Sequence, residues 1–472
     1  MKQKILNIKN IESKINYRDI KSSFIIKRIF SFLKEKEKLN IIIYNKKFQK
    51  LCLIDIEDYK QINGKYKIGK KNGKGKEYII ETKILIFEGE YLNGIKNGKG
   101  KEYYKNGKLK FEGEYLNGKK WNGNGYIDGN MAFTIKYGKG NIKEYDYEGK
   151  LIFEGEYLNG KRNGKGKEYE NDNLKFEGEY LNGEKNGKGK EYFRSGQLKF
   201  KGQYLIGKKW NGNSYNINGN IEFEIKDGAG YVKEYNFFND NLEFEGEYLN
   251  GERNGKGKEY YNDDTLKFEG EYLNGRRNGI GKEYFGKDKL LIFEGEYLNG
   301  EINGKGKKYS ISGGHLIFEG EYLKGKENGK GKEYYKNGKL KFEGEYLNGK
   351  KWNGNGYNIN GNKEFEIKDG KGKIKEYNFI RDDMLIFEGE YLNGERNGKG
   401  KEYHSFGGHL IFEGEYLNGQ RNGKGKEYSN LGGHLIFEGE YLNGERNGKG
   451  KEYHTFNGQL IFEGEYLNGK RI

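Results

Sequence analysis

The phrase Gly-Lys-Gly-Lys recurs along this 472-residue chain, for example at residues 98–101, and it contains the residue types of a phosphate-binding loop. A nucleotide-binding loop of the Walker type needs glycine, lysine and then Ser or Thr, placed between a strand and a helix. Here the phrase is followed by Glu-Tyr and returns many times. We therefore interpret it as part of a repeated structure, and we expect no cofactor and no small-molecule substrate.

Paired carboxylates in the phrase Phe-Glu-Gly-Glu-Tyr, such as Glu112 and Glu114, could act as a general acid and base. An enzyme needs one preorganised constellation of residues, whereas this pair returns in nearly every copy of the phrase. We expect the glutamates to face lysines such as Lys99 and Lys101 on a solvated surface. The sequence predicts no catalytic residues and a protein that is not an enzyme.

Metal ligation has equally little support in the sequence. His315, His409 and His434 occupy the same Gly-Gly-His-Leu position in different copies of the repeat. In stacked hairpins these side chains would lie about 10 Å apart, which is too far for one metal ion. Cys52 is the only cysteine, which excludes an internal disulfide framework. We expect no metal site.

The elements that carry these residues repeat with a nearly fixed period. Most steps between copies are 23 to 25 residues, and the three longer steps of 42, 44 and 45 each contain a degenerate copy. Counting these and a partial copy from Asn63, there are about 18 units, and such a period indicates a repeat array. The phrase Phe-x-Gly-x-Tyr starts at Phe87, Phe111, Phe153, Phe176, Phe200, Phe244, Phe268, Phe293, Phe318, Phe342, Phe387, Phe412, Phe437 and Phe462.

Within one unit, residues 109–115 alternate between apolar and charged side chains, which is the pattern of a β-strand. A shorter strand precedes it. The sequence Lys-Asn-Gly-Lys at 105–108 predicts a tight hairpin between the two, and Leu-Asn-Gly-x-x-Asn-Gly predicts a longer connection to the next unit. The predicted fold is mainly β: an elongated, single-layer antiparallel meander of about 18 stacked hairpins over residues 63–472.

The glycine inside each long strand lies on the aromatic face. A ring from the neighbouring strand can cross the bare backbone there, which explains why a glycine is used within a strand. We expect this structural role for Phe111, Gly113, Tyr115, Phe153, Gly155, Tyr157, Phe176, Gly178 and Tyr180.

Composition and charge narrow the class of protein. Apolar residues are 33% of the chain, below the about 45–50% of ordinary globular proteins, but aromatic residues reach 15%. Residues 1–60 carry 15 Lys and Arg against 7 Asp and Glu, which is half of the net charge of +16. The array is thus nearly balanced, and we expect no nucleic acid partner. With neither a secretory signal nor a membrane span in the sequence, we expect a cytoplasmic protein.

Residues 1–60 differ from the array. The segment from Phe24 to Leu33 places apolar side chains at helical spacing, after serines that could cap a helix. We predict a small, basic, α-helical N-terminal segment. The residues that we expect to contact a partner or adaptor are Ile25, Ile29, Phe30, Phe32 and Leu33.

Each of the three longer steps contains Lys-Lys-Trp-Asn-Gly-Asn, and Trp121, Trp210 and Trp352 are the only tryptophans. Two interpretations stay open. A large side chain could fill a gap left by the altered connection, or the three tryptophans could be surface stations for a partner or a membrane.

The repeated pattern Asn-Gly-Lys-Gly-Lys-x-Tyr-Tyr-x-Asn-Gly-x-Leu-x-Phe-Glu-Gly-Glu-Tyr resembles the MORN repeat (membrane occupation and recognition nexus), and in particular the variant seen in bacterial YwqK-like antitoxin proteins. The resemblance covers about residues 63–472 and implies an elongated sheet of stacked hairpins. Within residues 1–60, Ile29 to Leu33 faintly resemble an F-box, which implies contact with a Skp1-like adaptor.

Three functions follow as expectations. The first is a protein–protein scaffold, with partners along the aromatic face of the array. The second is a peripheral adaptor on an anionic membrane, which would make the protein membrane-associated. The third is a substrate receptor of a ubiquitin ligase, with the N-terminal segment bound to a Skp1-like adaptor. The balanced charge of the array favours the first over the second.

Overall fold

The computed structural model describes residues 65–378, 384–430 and 433–472, and all of its regular elements are β-strands. The predicted helical segment 1–60, with its partner-contact residues, lies outside the described residues. The chain divides into two compact units, one up to Gly207 and one from Lys208. Within each sheet consecutive strands pair antiparallel in chain order, so the predicted meander of hairpins is confirmed.

Unit 1 contains thirteen strands within its described residues, 65–207. Strands β1 to β7 form one sheet in chain order, and β8 to β13 are again consecutive neighbours. The bounds are β1 Lys65–Gly69, β2 Gly73–Ile79, β3 Leu85–Leu92, β4 Ile95–Tyr103, β5 Leu109–Leu116, β6 Lys119–Ile127, β7 Asn130–Ile135, β8 Gly140–Tyr145, β9 Leu151–Leu158, β10 Lys161–Glu170, β11 Asn173–Leu181, β12 Glu184–Tyr192 and β13 Leu198–Leu205.

Unit 2 contains the remaining strands. Strands β14 and β15 pair with each other, and β16 to β36 form one 21-stranded sheet in chain order. The bounds are β14 Lys208–Tyr215, β15 Ile221–Ile225, β16 Gly230–Tyr235, β17 Leu242–Leu249, β18 Glu252–Tyr260, β19 Leu266–Leu273, β20 Arg276–Phe285, β21 Leu290–Leu298, β22 Glu301–Tyr309, β23 Leu316–Leu323, β24 Lys326–Tyr334, β25 Leu340–Leu347, β26 Lys350–Tyr357, β27 Lys363–Lys368, β28 Lys371–Tyr377, β29 Leu385–Leu392, β30 Glu395–Tyr403, β31 Leu410–Leu417, β32 Gln420–Tyr428, β33 Leu435–Leu442, β34 Glu445–Tyr453, β35 Leu460–Leu467 and β36 Lys470–Arg471.

The two connections of each unit are opposite to the prediction: the tight turn lies at Leu-Asn-Gly, and the longer loop lies at Lys-Asn-Gly-Lys. The two-residue hairpin is Asn117–Gly118, where both residues have positive φ (50° and 81°). Two positive φ values give the turn whose twist matches that of the flanking strands. In the predicted tight turn only Gly107 has positive φ, at 78°. There Asn106 Oδ1 accepts a hydrogen bond from the Lys108 N–H at 3.0 Å, so this asparagine closes a longer loop.

The second Asn-Gly of the predicted long connection lies inside a strand, where it forms a β-bulge. Between β11 and β12 the register shifts after Gly178, so Glu179 faces the bulge. The carboxylate of Glu179 accepts a hydrogen bond from the Lys188 N–H at 2.9 Å. Asn186 Oδ1 accepts one from the Ile206 N–H in the next turn at 3.2 Å. The bulge therefore ties each turn to the following one.

The core of each unit is a layer of rings lying on bare backbone. Phe176 has no exposed surface, although it belongs to a single sheet. Its ring covers Gly178 and Gly189, and the Tyr204 ring stands at 87° to it with centroids 5.2 Å apart. Edge-to-face pairs of this kind contribute about 0.5–1.5 kcal/mol beyond their buried area. The two other predicted phenylalanines, Phe111 and Phe153, are buried in the same way.

The three tryptophans pack against a tight turn. The Trp121 carbonyl accepts a hydrogen bond from the Gly138 N–H at 2.7 Å, and a side chain at Gly138 would come within 2.8 Å of the indole ring. Trp210 and Trp352 make the same contacts, and all three are half-buried. These contacts are what the gap-filling interpretation requires, whereas the role as partner stations stays a prediction.

The contact between ring and glycine predicts a strong effect of adding one methyl group. In Gly178→Ala the new Cβ would lie 2.6 Å from the Phe176 ring and 2.7 Å from the backbone of Gly189 and Lys188. We expect a loss of about 1–3 kcal/mol in the free energy of unfolding, measured by urea titration. In the control Gly196→Ala the new Cβ meets nothing within 4 Å. The only destabilisation there comes from placing alanine at a φ of 89°, which costs about 1 kcal/mol. Equal losses would contradict this packing.

Candidate functional site

The aromatic face of unit 2 is closed by a cationic layer. The guanidinium carbon of Arg396 lies 4.0 Å from the centroid of the Phe387 ring. The Tyr416 ring stands beside that phenylalanine, with centroids 5.3 Å apart and an interplanar angle of 86°. Phe387 therefore has glycine backbone below it, tyrosine beside it and a guanidinium above it, and none of its surface is exposed.

The arginines of this layer join neighbouring units through carboxylates. Arg396 donates from Nε and Nη2 to the two oxygens of Glu376, at 2.9 and 2.7 Å, and from Nη1 to Glu402 at 3.1 Å. The Glu402 carboxylate in turn accepts from the next arginine. The result is an alternating ladder over the last units, made of Glu376, Arg396, Glu402, Arg421, Glu427, Arg446, Glu452 and Arg471.

The ladder keeps half-buried carboxylates ionised. Burial raises the pKa of Glu376, but the hydrogen bonds and the charge of Arg396 outweigh burial and hold that pKa below its usual value. Glu259 and Arg277 show the same relation. Because the arrangement recurs from unit to unit, its perturbed groups are structural ion pairs and not a singular reactive centre.

That partners lie along the aromatic face stays a prediction, and in these units such partners would meet the arginine and glutamate layer and not the rings. Phe387, Phe412 and Phe437 have no exposed surface, because the arginine and glutamate layer covers them. The opposite face is the open one. It carries the charged residues that the alternation of the sequence placed there.

On the open face, strands β27 to β35 form a groove of about 1180 Å³. Its floor is the backbone of a row of paired positions, among them Gly389 and Gly400, whose side-chain directions point to the aromatic face, so that only backbone faces the groove. Its walls are lysines and glutamates from successive strands. A second groove of about 950 Å³ has the same construction over β20 to β25.

One wall of the larger groove has its charges satisfied. We call it the paired row, and in it lysine and glutamate face each other across every pair of strands, as in Lys451 and Glu463, whose charged atoms are 3.1 Å apart. Exposed pairs of this kind contribute less than about 1 kcal/mol each. The members of the paired row are Glu388, Lys401, Glu413, Lys426, Glu438, Lys451 and Glu463.

The other wall contains lysines whose ammonium groups are free, and we call it the lysine row. Its members are Lys373, Lys399, Lys424 and Lys449. All four are exposed, and within the part of the chain that the structure describes none forms an ion pair. Each of them lies opposite a glutamate in register, as Lys399 lies opposite Glu415.

For Lys373, Lys399 and Lys424, the glutamate opposite accepts a hydrogen bond from a backbone N–H group. The Glu415 carboxylate accepts a hydrogen bond from the backbone N–H of Lys424 at 3.2 Å, and Glu390 accepts one from Lys399 at 3.0 Å. These are the N–H groups that the bulges leave without a partner in the ladder. A carboxylate that accepts from a neutral N–H keeps its charge, so lysine and glutamate alternate along this wall, and the wall agrees with the balanced charge of the sequence.

One pair in the array has its charges exchanged. Most units place glutamate near the end of the strand that contains Gly-Lys-Gly-Lys, and arginine or lysine two residues after the next turn; the sequence predicted this strand to be the shorter one of the unit, but it has 9 residues in β30 against 8 in β31. At β22 and β24 these positions hold Lys308 and Glu327, whose charged atoms are 3.8 Å apart. The exchange keeps the sum of charges while reversing the direction of the pair, so the ladder constrains complementarity and not residue identity.

The described residues contain neither a metal-binding cluster nor a membrane-spanning helix. No group of three or more His, Cys, Asp and Glu side chains there could hold a metal ion. Within residues 65–378, 384–430 and 433–472 there is also no helical segment with the length and hydropathy of a membrane span.

Comparison with known protein families matches ten segments of the chain to the MORN repeat. They extend from β3 to the end of β34, and each begins at or near a phenylalanine of the buried layer. This chain is a MORN repeat protein. MORN repeats form scaffolds associated with binding to proteins or membrane lipids. The matched segments are residues 87–108, 153–173, 176–198, 244–265, 268–288, 293–315, 318–339, 387–405, 412–431 and 437–455.

Similar solved structures are parts of much larger chains. Over 84% of its length this MORN protein matches 23% of a chain in the Photorhabdus luminescens Tc holotoxin pore, with 10% identity and a TM-score of 0.15. Over 82% of its length it matches 23% of a TcdB2–TccC3 chain, with 10% identity and a TM-score of 0.13. None of the curated proteins compared matches it.

The exchanged pair predicts a restoring double substitution. Lys308→Glu alone brings two carboxylates together across β22 and β24, and we expect a loss of about 1 kcal/mol in the free energy of unfolding. Adding Glu327→Arg recreates the arrangement of the other units, and we expect stability to return to at least the wild-type value. Thermal unfolding of both variants checks this. A double variant as unstable as the single one would show that the pair does not belong to the ladder.

Proposed function

We propose that this MORN protein is a non-catalytic, cytoplasmic scaffold that binds protein partners in the charged groove of unit 2. The observation that carries the proposal is the contrast between the two faces of the sheet. On one face the rings and charged groups contact each other within the array, and on the other a groove has a backbone floor and walls of exposed lysines and glutamates. The repeat family supports binding in general, and the groove supports this location.

The construction of the groove favours a polypeptide over a lipid surface. Its floor is peptide backbone between two rows of side chains, and strands about 4.8 Å apart repeat that profile along the array. A narrow chain can lie on such a floor and contact both walls, whereas a flat bilayer would meet the ends of the lysine and glutamate side chains alike. An anionic membrane is the alternative that the test below distinguishes.

The test compares two variants with the same change of charge. Lys399→Glu, Lys424→Glu and Lys449→Glu together reverse the lysine row. Lys287→Glu, Lys324→Glu and Lys339→Glu together change exposed hairpin ends outside the groove. Partners should be cross-linked to the wild-type chain and to the control variant, and should be lost from the groove variant. The proposal fails if both variants retain the same partners, or if phosphatidylserine vesicles are bound and no protein is.

A second proposal concerns residues 1–60, where half of the net charge is concentrated. We propose that this segment selects a location or an adaptor, such as an anionic membrane or a Skp1-like protein, while the array provides the binding surface. Its deletion should relocate the protein in cells or release the adaptor, and should leave the β circular-dichroism signal intact.

Salt separates the two mechanisms of the N-terminal segment. Binding to an anionic surface weakens steeply as screening lengths fall to about 8 Å at physiological salt. Docking of Ile29 and Phe30 in an apolar groove is insensitive to salt and should be abolished by Phe30→Asp. Unchanged location and unchanged partners after deletion would contradict the proposal.

A further inference from the structure

The open face of unit 2 carries its charges in stripes that match a second copy of the same face. Building on the proposed function, we infer that the protein held by the larger groove is another copy of this chain, bound face to face in a two-fold symmetric dimer. Three observations carry this inference: the order of charges from strand to strand, the apolar rows that border the charges, and the length over which the pattern is unbroken.

Each strand of the larger groove has one sign of charge on the open face. Strand β32 presents Lys424 and Lys426, and β31 presents Glu413 and Glu415. The neighbouring hairpins repeat this arrangement, so positive and negative strands alternate about 4.8 Å apart. The positive strands are β28, β30, β32 and β34, and the negative strands are β29, β31, β33 and β35.

A two-fold axis that runs parallel to the strands, above the face and between β31 and β32, makes this pattern complementary to itself. Rotation about the axis places β31 over β32 of the second copy and keeps the position of each residue along the strand. Glu413 then faces Lys426 of the second copy, since these two residues are in register. Every other strand likewise faces one of opposite charge. The same patch is used on both copies, which is the commonest symmetry of protein dimers.

Apolar side chains border the charged rows on both sides. Beside the tight turns lie Leu417, Leu442 and Leu467, which are 48%, 49% and 56% exposed and follow the second glutamate of their strands by two residues. Beside the longer loops, the alternation of side chains places Ile411 and Tyr428 on the open face. The axis sets each border against the same border of the second copy. The exposed part of the leucines is then buried, which favours association.

A second sheet fits this face better than a single segment of chain. A segment that lies in the groove along the array passes lysine and glutamate alternately on both walls. A run of one charge would therefore be repelled at every second strand, and the bordering apolar rows would stay uncovered. A second sheet packs about 10 Å away with its strands nearly aligned, and it contacts the charged rows and both borders together.

The unbroken pattern is long enough for a stable dimer. Eight strands of about eight residues give a face of about 1,000 Å², and a typical stable interface buries about 800 Å² on each partner. Elsewhere among the described residues of unit 2, both rows alternate over at most five consecutive strands. Ile280 in β20 and Asn353 in β26 take lysine positions and bound that shorter stretch. We therefore place the axis in the larger groove.

The test exchanges charges of the paired row in the full-length chain. An acidic variant and a basic variant are prepared, each with three substitutions. A homodimer of either variant sets like charges against each other along this row, whereas a mixed dimer sets opposite charges against each other. The acidic variant carries Lys401→Glu, Lys426→Glu and Lys451→Glu, and the basic variant carries Glu413→Lys, Glu438→Lys and Glu463→Lys.

Sedimentation equilibrium gives the dissociation constant of the dimer. We expect the wild type and the hairpin-end control variant, whose net charge equals that of the acidic variant, to dimerise equally well. Each charge variant alone should dimerise at least about tenfold more weakly, and an equimolar mixture of the two should recover an affinity near that of the wild type. Recovery on mixing also shows that both variants are folded, which circular dichroism checks independently.

Three results overturn the inference. They are a wild-type chain that stays monomeric up to about 100 μM, a dimer that the acidic and basic substitutions do not weaken, and a mixture that associates no better than its components. The proposed function is decided separately by the cross-linking experiment. If other proteins are cross-linked to a monomeric chain and lost from the groove variant, the proposed function stands and the dimer is excluded.

Discussion

A phenyl ring lying flat on two glycines of adjacent strands is the contact on which the rest of this structure depends. Phe387 covers Gly389 and Gly400, and a side chain at either position would come within 2.7 Å of the ring. A single layer of strands has no opposing layer against which to bury its aromatic residues. Bare backbone supplies the missing surface from within the sheet, and the burial of a large ring offsets the weak strand propensity of glycine.

The same contact determines which face of the sheet is available. With the ring held low on the backbone, the arginine above it lies close enough to both carboxylates of the ladder to pair with them. That layer closes the aromatic face. On the other side of the same glycines nothing projects, so the backbone becomes the floor of a groove. Core and candidate binding surface are thus two sides of one row of glycines.

Much of this arrangement could be predicted from the alternation of residues. The alternation in Phe-Glu-Gly-Glu-Tyr correctly predicts the strands, the aromatic face and the pairing of Lys101 with Glu112, whose charged atoms are 2.9 Å apart. The period predicts the hairpin array. These features depend on side-chain direction, which in a strand follows directly from residue order.

The positions of the turns and bulges, and the lysines without ion pairs, were not predicted, because they depend on backbone angles that residue order does not specify. The two Asn-Gly pairs of the Leu-Asn-Gly-x-x-Asn-Gly connection have the same local sequence but different conformations. Asn117–Gly118 turns the chain, because the strands on both of its sides are in matching register, whereas Asn97–Gly98 forms a bulge within a strand. The free lysines follow from this choice. Once the bulge exposes the Lys424 N–H, Glu415 binds it, and Lys399 is left without a partner.

The repetition with which the chain is written multiplies one arrangement of charges along the groove. One exposed lysine contributes less than about 1 kcal/mol to an ion pair. In each unit over the larger groove a lysine of the row lies in register with a glutamate, as Lys399 does with Glu415, and both residues line the groove. Repetition therefore produces an alternating line of positive and negative groups and not a positive one. Ile280 and Asn353 interrupt this alternation, because each takes the position of a lysine.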